Sequence, residues 1–259
     1  MDISELKRAG FTKNINRHPW EIARGRIIRF LLTKHQVHSK HIADIGSGDA
    51  FVLKTLTKNG LAQSYSAVDI AYTPEIIQEL ASGDNTSKIS FYNDFSLLSD
   101  IAIKADTLLL MDVLEHCKDD KSVLKSVVES GSPADKALFL ITVPAFQALF
   151  SSHDKLLLHY RRYTRKQLIN LCRTTKLEVI KSGYFFNILI PIRVIQLLLE
   201  KLKLHKATSS LDNWKGNKMI TKLFYAILWT DFRASYLLSK IGLHIPGLSC
   251  YCICRKLPS

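Results

Sequence analysis

Two acids and two glycines have the spacing of a nucleotide-type ligand site. Asp44 ends a short apolar run, Gly46 and Gly48 follow it, and Asp69 comes 21 residues after Gly48. Glycines let the backbone turn tightly and approach a ligand closely, and Asp49 can cap the helix whose first amides point back at the turn. A carboxylate about 20 residues beyond such a turn is placed to accept hydrogen bonds from ribose hydroxyls. The pattern predicts a ligand at the carboxyl end of a parallel strand.

The same spacing separates this site from dinucleotide sites. Phe51 stands where the fingerprint G-x-G-x-x-G requires its last glycine, so close approach of a pyrophosphate is not provided for. The stretch 44–50 instead resembles motif I, D/E-x-G-x-G-x-G/A, of the class I S-adenosylmethionine-dependent methyltransferases. Ala50 stands where that family usually has its third glycine. A tight turn that binds no ligand is the alternative.

The resemblance implies S-adenosyl-L-methionine as the cofactor and suggests which residues contact each part of it. Asp69 matches the ribose-binding acid, and Ile70 would lie beside the adenine. Asp94 follows the third predicted strand, where the family often places an acid that accepts from the adenine amino group; a turn or cap residue is the alternative. Met111 and Asp112 would lie near the sulfonium. The predicted cofactor-binding residues are Asp44, Gly46, Ser47, Gly48, Asp69, Ile70, Asp94, Phe95, Met111 and Asp112.

A second stretch, D-V-L-E-H at 112–116, resembles the small-molecule and quinone O-methyltransferase group. The segments V-P-A, S-S-H-D and H-Y-R-R-Y-T between residues 143 and 164 strengthen this resemblance. In some quinone O-methyltransferases a related acid-x-x-E-H cluster supports a divalent metal, which here would involve Asp112, Glu115 and His116. The alternative is the first turn of a helix, where the dipole favours acids. On this alternative, the sequence predicts no metal site.

Methyl transfer from a sulfonium mainly requires alignment of nucleophile, carbon and sulfur, with loss of a proton where the acceptor is a hydroxyl. Histidine is the natural base near neutral pH. The candidate catalytic residues are His116, His153 and His159. A basic cluster with two interleaved tyrosines, at 160–166, would suit an anionic acceptor, and a solvated loop is the alternative.

The elements around these residues predict an α/β fold. Seven apolar runs, at 41–45, 64–69, 88–93, 106–111, 137–143, 178–181 and 246–256, alternate with helical segments. The resemblance implies a Rossmann-like, seven-stranded, mostly parallel sheet with helices on both faces and an antiparallel last strand. The predicted organisation is a helical segment at 1–40 that covers the cofactor, a methyltransferase domain at 41–184 and 246–257, and a helical cap insertion at 185–245.

Composition restricts partners and compartment. The 36 Lys and Arg residues against 23 Asp and Glu residues give a net charge of +13, which implies an anionic partner such as nucleic acid, a membrane surface or an acidic substrate. Five cysteines are too few and too unevenly placed for a disulfide framework, and Cys250, Cys252 and Cys254 alternate as buried strand residues would. With a polar start at residues 1–5, these features predict a cytoplasmic protein.

The insertion is the individual feature of this chain. Its apolar segment 184–199 is interrupted by Asn187, Pro191 and Arg193, so it falls short of the roughly 20 apolar residues that a membrane span requires. An apolar stripe at helical spacing is followed by lysines, a pattern typical of helices that lie in a membrane interface. This hypothesis places the protein at the inner face of the membrane. A cap packed on the sheet, or on the second subunit of a homodimer, is the alternative.

Three functions remain open. The first is methyl transfer to an oxygen of a small, hydrophobic or lipid-linked metabolite. The second is RNA methylation, which the positive charge favours, although the chain has neither a separate RNA-binding module nor an N-P-P-Y-type motif, so we do not expect a nucleic-acid partner. The third is a cofactor-binding scaffold without catalysis.

Overall fold

The computed structural model describes residues 17–35, 39–100, 104–202, 214 and 216–258. Its seven strands form one sheet with the order β3-β2-β1-β4-β5-β7-β6, in which only β7 runs antiparallel to its neighbours. The strands are β1 (His41–Ile45), β2 (Ser64–Val68), β3 (Ile89–Tyr92), β4 (Ala105–Met111), β5 (Pro133–Pro144), β6 (Leu177–Phe185) and β7 (Ser249–Lys256). This architecture confirms the predicted fold class. β6 is longer than expected because it continues along the antiparallel β7, and β5 begins earlier than expected because Pro133 already pairs with Ala105 of β4.

Burial explains why the central strands are so apolar. All five residues of β1 and six of the seven residues of β4 are buried, as expected for parallel strands covered by helices on both faces. On β7, Cys250, Cys252 and Cys254 face one core layer while Tyr251 and Ile253 face the other. All five cysteines of the chain are free, and the three on β7 are fully buried. The prediction of buried core thiols is therefore confirmed.

Eight helices, within the described parts of the chain, surround the sheet. They are α1 (Pro19–Lys34), α2 (Phe51–Lys58), α3 (Pro74–Ala81), α4 (Asp120–Glu129), α5 (Ser152–Leu156), α6 (Arg165–Thr174), α7 (Leu189–Lys201) and α8 (Lys218–Leu238). Pro19 occupies the first turn of α1 and Thr164 caps α6, as the sequence predicts. The predicted cap of α2 is only partly correct. Ala50 is the N-cap residue, while Asp49 accepts a hydrogen bond from the amide of Phe51 at 3.2 Å.

Helices α1 and α8 are joined by an aromatic cluster. Phe30 of α1 packs edge-to-face against Trp229, Phe232 and Tyr236 of α8, with ring centroids 5.1–5.6 Å apart. Phe232 is fully buried and belongs to the same core layer as Ile42 of β1. The second half of the insertion is therefore part of the main core. The division of the chain at residues 40, 184 and 245 stays a prediction.

Helix α7 has a different environment. It buries none of its residues completely, and the predicted apolar stripe is largely in solvent, with Ile192 at 49% and Ile195 at 56% exposure. Within the described residues, no helix is long and apolar enough to span a bilayer. Three lysines of the proposed interfacial pattern, at 203, 206 and 215, lie outside the described residues. Helix α7 is apolar and exposed but too short to span a bilayer. Its location in a membrane interface therefore stays a prediction.

Candidate active site

The glycine turn between β1 and α2 is as tight as its sequence predicts. Gly46 and Gly48 have φ values of +73° and +53°, in the left-handed region that favours glycine. A Cβ atom on Gly46 would lie 2.6 Å from Cγ2 of Val113, which follows β4. The amides of Gly46 and Ser47 donate to the carbonyl oxygen of Val68 at 2.8 and 3.0 Å. The turn is thus fixed between the carboxyl ends of β2 and β4.

Asp69 lies next to this turn, directly after β2. Its carboxylate accepts hydrogen bonds from the amide of Gly48 at 3.0 Å and from the amide of Ala71 at 2.9 Å. The two amides hold the carboxylate beside the turn, where an acid of this type accepts hydrogen bonds from ribose hydroxyls. The neighbouring Ile70 is 91% exposed, which makes it an apolar surface open to a ring such as adenine. Tyr72 supports the turn by donating to the carbonyl of Gly48 at 2.7 Å.

Asp44 is a buried acid at the end of β1, beside the glycine turn. The residue is 1% exposed, and neither carboxylate oxygen has a hydrogen-bond partner among the described residues. Burial raises the pKa of Asp44 well above its usual value, and the positive charge of Arg24 opposes this shift. A buried carboxylate beside a glycine turn and a ribose-type acid fits S-adenosylmethionine, a ligand with a cationic end and two ribose hydroxyls.

The remaining predicted cofactor residues lie at the same edge of the sheet. Asp94 is exposed and accepts from the amide of Ser96 at 2.8 Å, so it has the turn-capping role that was its alternative. Its contact with adenine stays a prediction. Phe95 packs on a core layer, and Met111 is 6% exposed at the end of β4.

Two arginines near the start of the described chain bind acids around the glycine turn. The guanidinium of Arg24 lies 2.6 Å from Oδ2 of Asp112, and Arg17 forms an ion pair with Asp49. Asp112 has a φ of +54° and also accepts from the hydroxyl of Thr142 at 3.0 Å. Strained backbone of this kind is common at functional sites. Arg17, which precedes α1, and Arg24 of α1 therefore bind acids on either side of the turn, while the cover of the cofactor by residues 1–40 stays a prediction.

A second group of side chains follows β4. The side chain of Glu115 is fully buried, and neither of its oxygens has a hydrogen-bond partner among the described residues. One donor atom each of Glu115, His116 and His159 lies within 4.8 Å of the other two. The rings of His116 and His159 meet edge-to-face with centroids 4.6 Å apart. Burial, and next the charge of Asp112, raise the pKa of Glu115 well above its usual value.

Asp154 orients His159. The Oδ1 atom of Asp154 lies 3.0 Å from Nδ1 of His159, and the guanidinium of Arg162 donates to both oxygens of this carboxylate at 2.8 and 3.0 Å. Arg193 of α7 adds an ion pair at 3.3 Å. Although burial opposes ionisation, the hydrogen bonds from His159 and Arg162 hold the pKa of Asp154 well below its usual range. Because the ionised carboxylate of Asp154 can only accept a hydrogen bond, Nδ1 of His159 is the donor. In the neutral imidazole the lone pair is then on Nε2.

The structure therefore brings together two of the three predicted histidines. His153 contributes no atom to the cluster with Glu115, although it lies beside Asp154 in the chain. Two arginines of the basic cluster are bound within the chain, and the binding of an anionic acceptor by the cluster stays a prediction. Arg162 is bound to Asp154, and Arg161 donates to the carbonyl of Lys118 at 2.6 Å and lies 3.4 Å from Asp120.

Sequence reasoning missed two features of this site. Asp154 was not among the predicted site residues, yet it is the third residue of α5 and forms a capping box with the N-cap residue Ser151. That S-x-x-D spacing was a usable indication of an ordered acid. The contact of Arg193 with Asp154 joins residues 39 positions apart, and no local pattern could have shown it.

Comparisons with known proteins support the fold. No protein-family model and no curated protein matches the sequence. Among solved structures, a protein from Galdieria sulphuraria assigned as a sarcosine dimethylglycine methyltransferase superposes with a TM-score of 0.56 at 12% identity, covering 91% of this chain and 86% of that one. The N-methyltransferase NodS from Bradyrhizobium japonicum WM9, in complex with S-adenosyl-L-homocysteine, gives a TM-score of 0.51 at 16% identity, with 70% and 88% covered.

The chain has the Rossmann-like fold of these methyltransferases. The same fold also carries other chemistry. The [4+2]-cyclase SpnF superposes with a TM-score of 0.57 at 11% identity, covering 95% of this chain and 86% of that one. Function must therefore be argued from the site itself.

Proposed function

We propose that the protein transfers a methyl group from S-adenosylmethionine to an oxygen of a small, hydrophobic acceptor. The observation that carries this proposal is the site at the ends of β1 and β2. There, the unpartnered carboxylate of Asp44 and the ribose-type acid Asp69 flank the glycine turn at Gly46. The methyltransferases that share this fold, one of them crystallised with S-adenosyl-L-homocysteine, support the choice of cofactor.

The residues have distinct roles in this proposal. Asp69 binds the ribose hydroxyls, and Ile70 supports the adenine ring. The cofactor supplies a methyl group that its sulfonium already activates, so the protein mainly aligns the reacting atoms. Arg24 fixes Asp112 at the boundary between the cofactor side and the cluster that follows β4.

The cluster after β4 is where the acceptor hydroxyl loses its proton. The lone pair on Nε2 of His159 points away from Asp154, and His116 is exposed beside it. A carboxylate that fixes the histidine tautomer is a common arrangement for proton removal, because the opposite nitrogen is kept unprotonated. Oxygen acceptors need this proton loss, which is why we favour O-methylation.

The apolar face of α7 favours a hydrophobic acceptor that arrives from a membrane. Exposed apolar side chains cover α7 and the first half of α8, and Lys201, Lys218 and Lys222 border them. The one acid of these two segments, Glu200, lies 3.5 Å from the amide of Ser152. An exposed apolar patch with a positively charged border matches an anionic lipid surface. Arg193 connects this helix to Asp154, and hence to the cluster.

The test is cofactor binding by calorimetry together with methyl transfer from labelled S-adenosylmethionine to small phenols and to a lipid extract. Asp69→Ala should weaken binding by about 1.5–3 kcal/mol, the usual contribution of hydrogen bonds to a charged group. The exposed Asp135→Asn is the matched control and should bind as the wild type does. Tight binding of NADH instead would overturn the proposal. Methylation of RNA and not of lipid would show that the acceptor is a nucleic acid. Binding of S-adenosylmethionine without turnover on any acceptor would show that the protein is a cofactor-binding scaffold without catalysis.

A further inference from the structure

One arginine of α1 and one of α8 lie over the same indole ring. The Cζ atom of Arg26 is 4.2 Å from a ring centroid of Trp229, and that of Arg233 is 5.6 Å from it. Arg26 also donates to the hydroxyl of Tyr225, and Cζ of Arg233 lies 4.9 Å from the ring centroid of Phe30. Aromatic rings therefore fix the positions of both guanidinium groups.

Neither of these guanidinium groups is neutralised by an acid in the described parts of the chain. No carboxylate there forms an ion pair with Arg26 or Arg233. The one acid of α8, Asp231, instead accepts from the amides of Asn187 and Ile188 at 2.8 and 3.3 Å. A guanidinium stacked on a ring keeps the N–H groups at its edge for bidentate contact with a phosphate. The pair of arginines is therefore suited to an external anion.

The two arginines belong to a positively charged stripe along α8. Lys218, Lys222, Trp229 and Arg233 follow one another at intervals of four, seven and four residues, which places them on one face of the helix. The three cations are exposed, and Trp229 is half-buried against α1. Arg26 of α1 reaches the middle of this stripe. The stripe can therefore contact several phosphate groups along one surface.

A neighbouring face of α8 is apolar and open to solvent. Its exposed side chains are Met219, Ile220, Leu223, Phe224, Ile227 and Leu237. An apolar face beside a face of lysine and arginine is typical of helices that lie in a membrane interface. Tryptophan and tyrosine are enriched at this depth, because their rings are apolar and carry one polar atom. Single-stranded nucleic acid would leave the apolar face in water, so charge and apolar area together favour lipid.

We infer that Arg26 and Arg233 bind headgroup phosphates of an anionic membrane, with Trp229 holding both guanidinium groups in place. The inference rests on the proposed function for its partner, the membrane from which the acceptor arrives. It adds the site that recognises the headgroups, which lies on α1 and α8 and not on α7. These residues have no part in methyl transfer itself.

The experiment measures sedimentation of the full-length protein with vesicles of phosphatidylcholine mixed with phosphatidylglycerol, and with vesicles of phosphatidylcholine alone. Arg26→Gln and Arg233→Gln should each lower the affinity for the anionic vesicles about fivefold, the effect of one cation near such a surface. Arg26→Lys and Arg233→Lys keep the charge but should also bind more weakly, because lysine lacks the planar fork. Wild-type affinity of both lysine variants would mean that charge alone acts, and the phosphate site would be wrong.

Arg173→Gln is the matched control. Arg173 is exposed on α6, which packs through Leu168 and Cys172 on the core layer opposite to that of Phe232 in α8. Loss of its charge should therefore leave the affinity for vesicles unchanged. A loss as large as in the Arg26 and Arg233 variants would show that net charge, and not a site, binds the membrane. Urea denaturation of each variant checks its folding, and the exposed Arg233 is the position least able to disturb it.

Other partners give different results in the same experiment. Equal binding of the wild type to both kinds of vesicle, or to neither, would overturn the inference. A gel shift with single-stranded RNA that the arginine variants weaken, while their affinity for vesicles is unchanged, would assign the stripe to nucleic acid. Calorimetry with S-adenosylmethionine tests the proposed function separately, because absence of cofactor binding would remove methyl transfer and leave the lipid site in place.

Discussion

The Nδ1 atom of His159 lies 3.0 Å from Oδ1 of Asp154, a fully buried carboxylate five residues earlier in the chain. Arg162, in the same loop as His159, and Arg193 of α7 bind the same carboxylate. Asp154 therefore links the orientation of one histidine to the position of the exposed helix α7. A substitution in α7 should therefore alter the orientation of His159, and a substitution of His159 should alter the position of α7.

His159→Ala should lower methyl-transfer turnover by about 10²- to 10⁴-fold, the usual contribution of a positioned acid–base group. Its cofactor affinity should stay near the wild-type value, because His159 lies in the cluster after β4 and not in the glycine turn. Steady-state kinetics and calorimetry on the same preparation separate the two effects. His244→Ala is the matched control. Full activity in the variants of His116, His153 and His159 alike would show that the acceptor needs no histidine.

Gly46→Ala should destabilise the fold more than Gly60→Ala. Both glycines have positive φ values, +73° and +64°, so both substitutions strain the backbone. Only at Gly46 would the new methyl group also meet a side chain, Cγ2 of Val113 at 2.6 Å, whereas nothing lies within 4 Å at Gly60. The expected cost at Gly46 is about 1–3 kcal/mol for strain plus the overlap. Urea denaturation of both variants measures the difference, and equal destabilisation would argue against close packing at the turn.

Asp44→Asn should stabilise the cofactor-free protein increasingly as the pH rises. Burial raises the folded-state pKa of Asp44 above its unfolded value of about 3.9, so the stability associated with its neutral form is complete below that value. This stability is lost as the pH rises through the folded-state pKa, whereas asparagine stays neutral. The free energies of unfolding at pH 5 and pH 8 test the difference.

The same Asp44→Asn variant should bind S-adenosylmethionine more weakly, since its buried carboxylate is kept for a ligand at a cost in stability. The exposed Asp135→Asn removes one negative charge and controls for general electrostatics. A variant that is less stable than the wild type at both pH values would mean that Asp44 has a stabilising partner.

Ile195→Glu and Leu198→Glu on α7 should reduce sedimentation of the protein with anionic liposomes. Both side chains are more than half exposed in the apolar patch, and a carboxylate there opposes both burial and the negative lipid surface. Leu257→Glu, after the end of β7, is the control for an added charge. The wild type should bind at low salt and less at high salt. A wild type that stays in the supernatant at low salt would remove the membrane proposal and leave a structural cap.

The sequence by itself determined where the strands and the glycine turn of this protein lie along the chain. Local patterns were sufficient for the seven strands, because buried parallel strands are continuous apolar runs and the glycine turn has fixed conformational requirements. The positions of Asp44, Gly46 and Asp69 followed from the same rules, since residues at the carboxyl ends of neighbouring parallel strands lie at one edge of the sheet.

Tertiary structure alone decided which side chains meet. The pairing of Asp154 with His159, and not with the adjacent His153, depends on how the turn after α5 folds back on itself. Likewise, the contacts of Arg24 with Asp112 and of Arg193 with Asp154 join residues 88 and 39 positions apart. Spacing along a chain carries information about neighbours within one helix or strand, but contacts between elements depend on packing of the whole core.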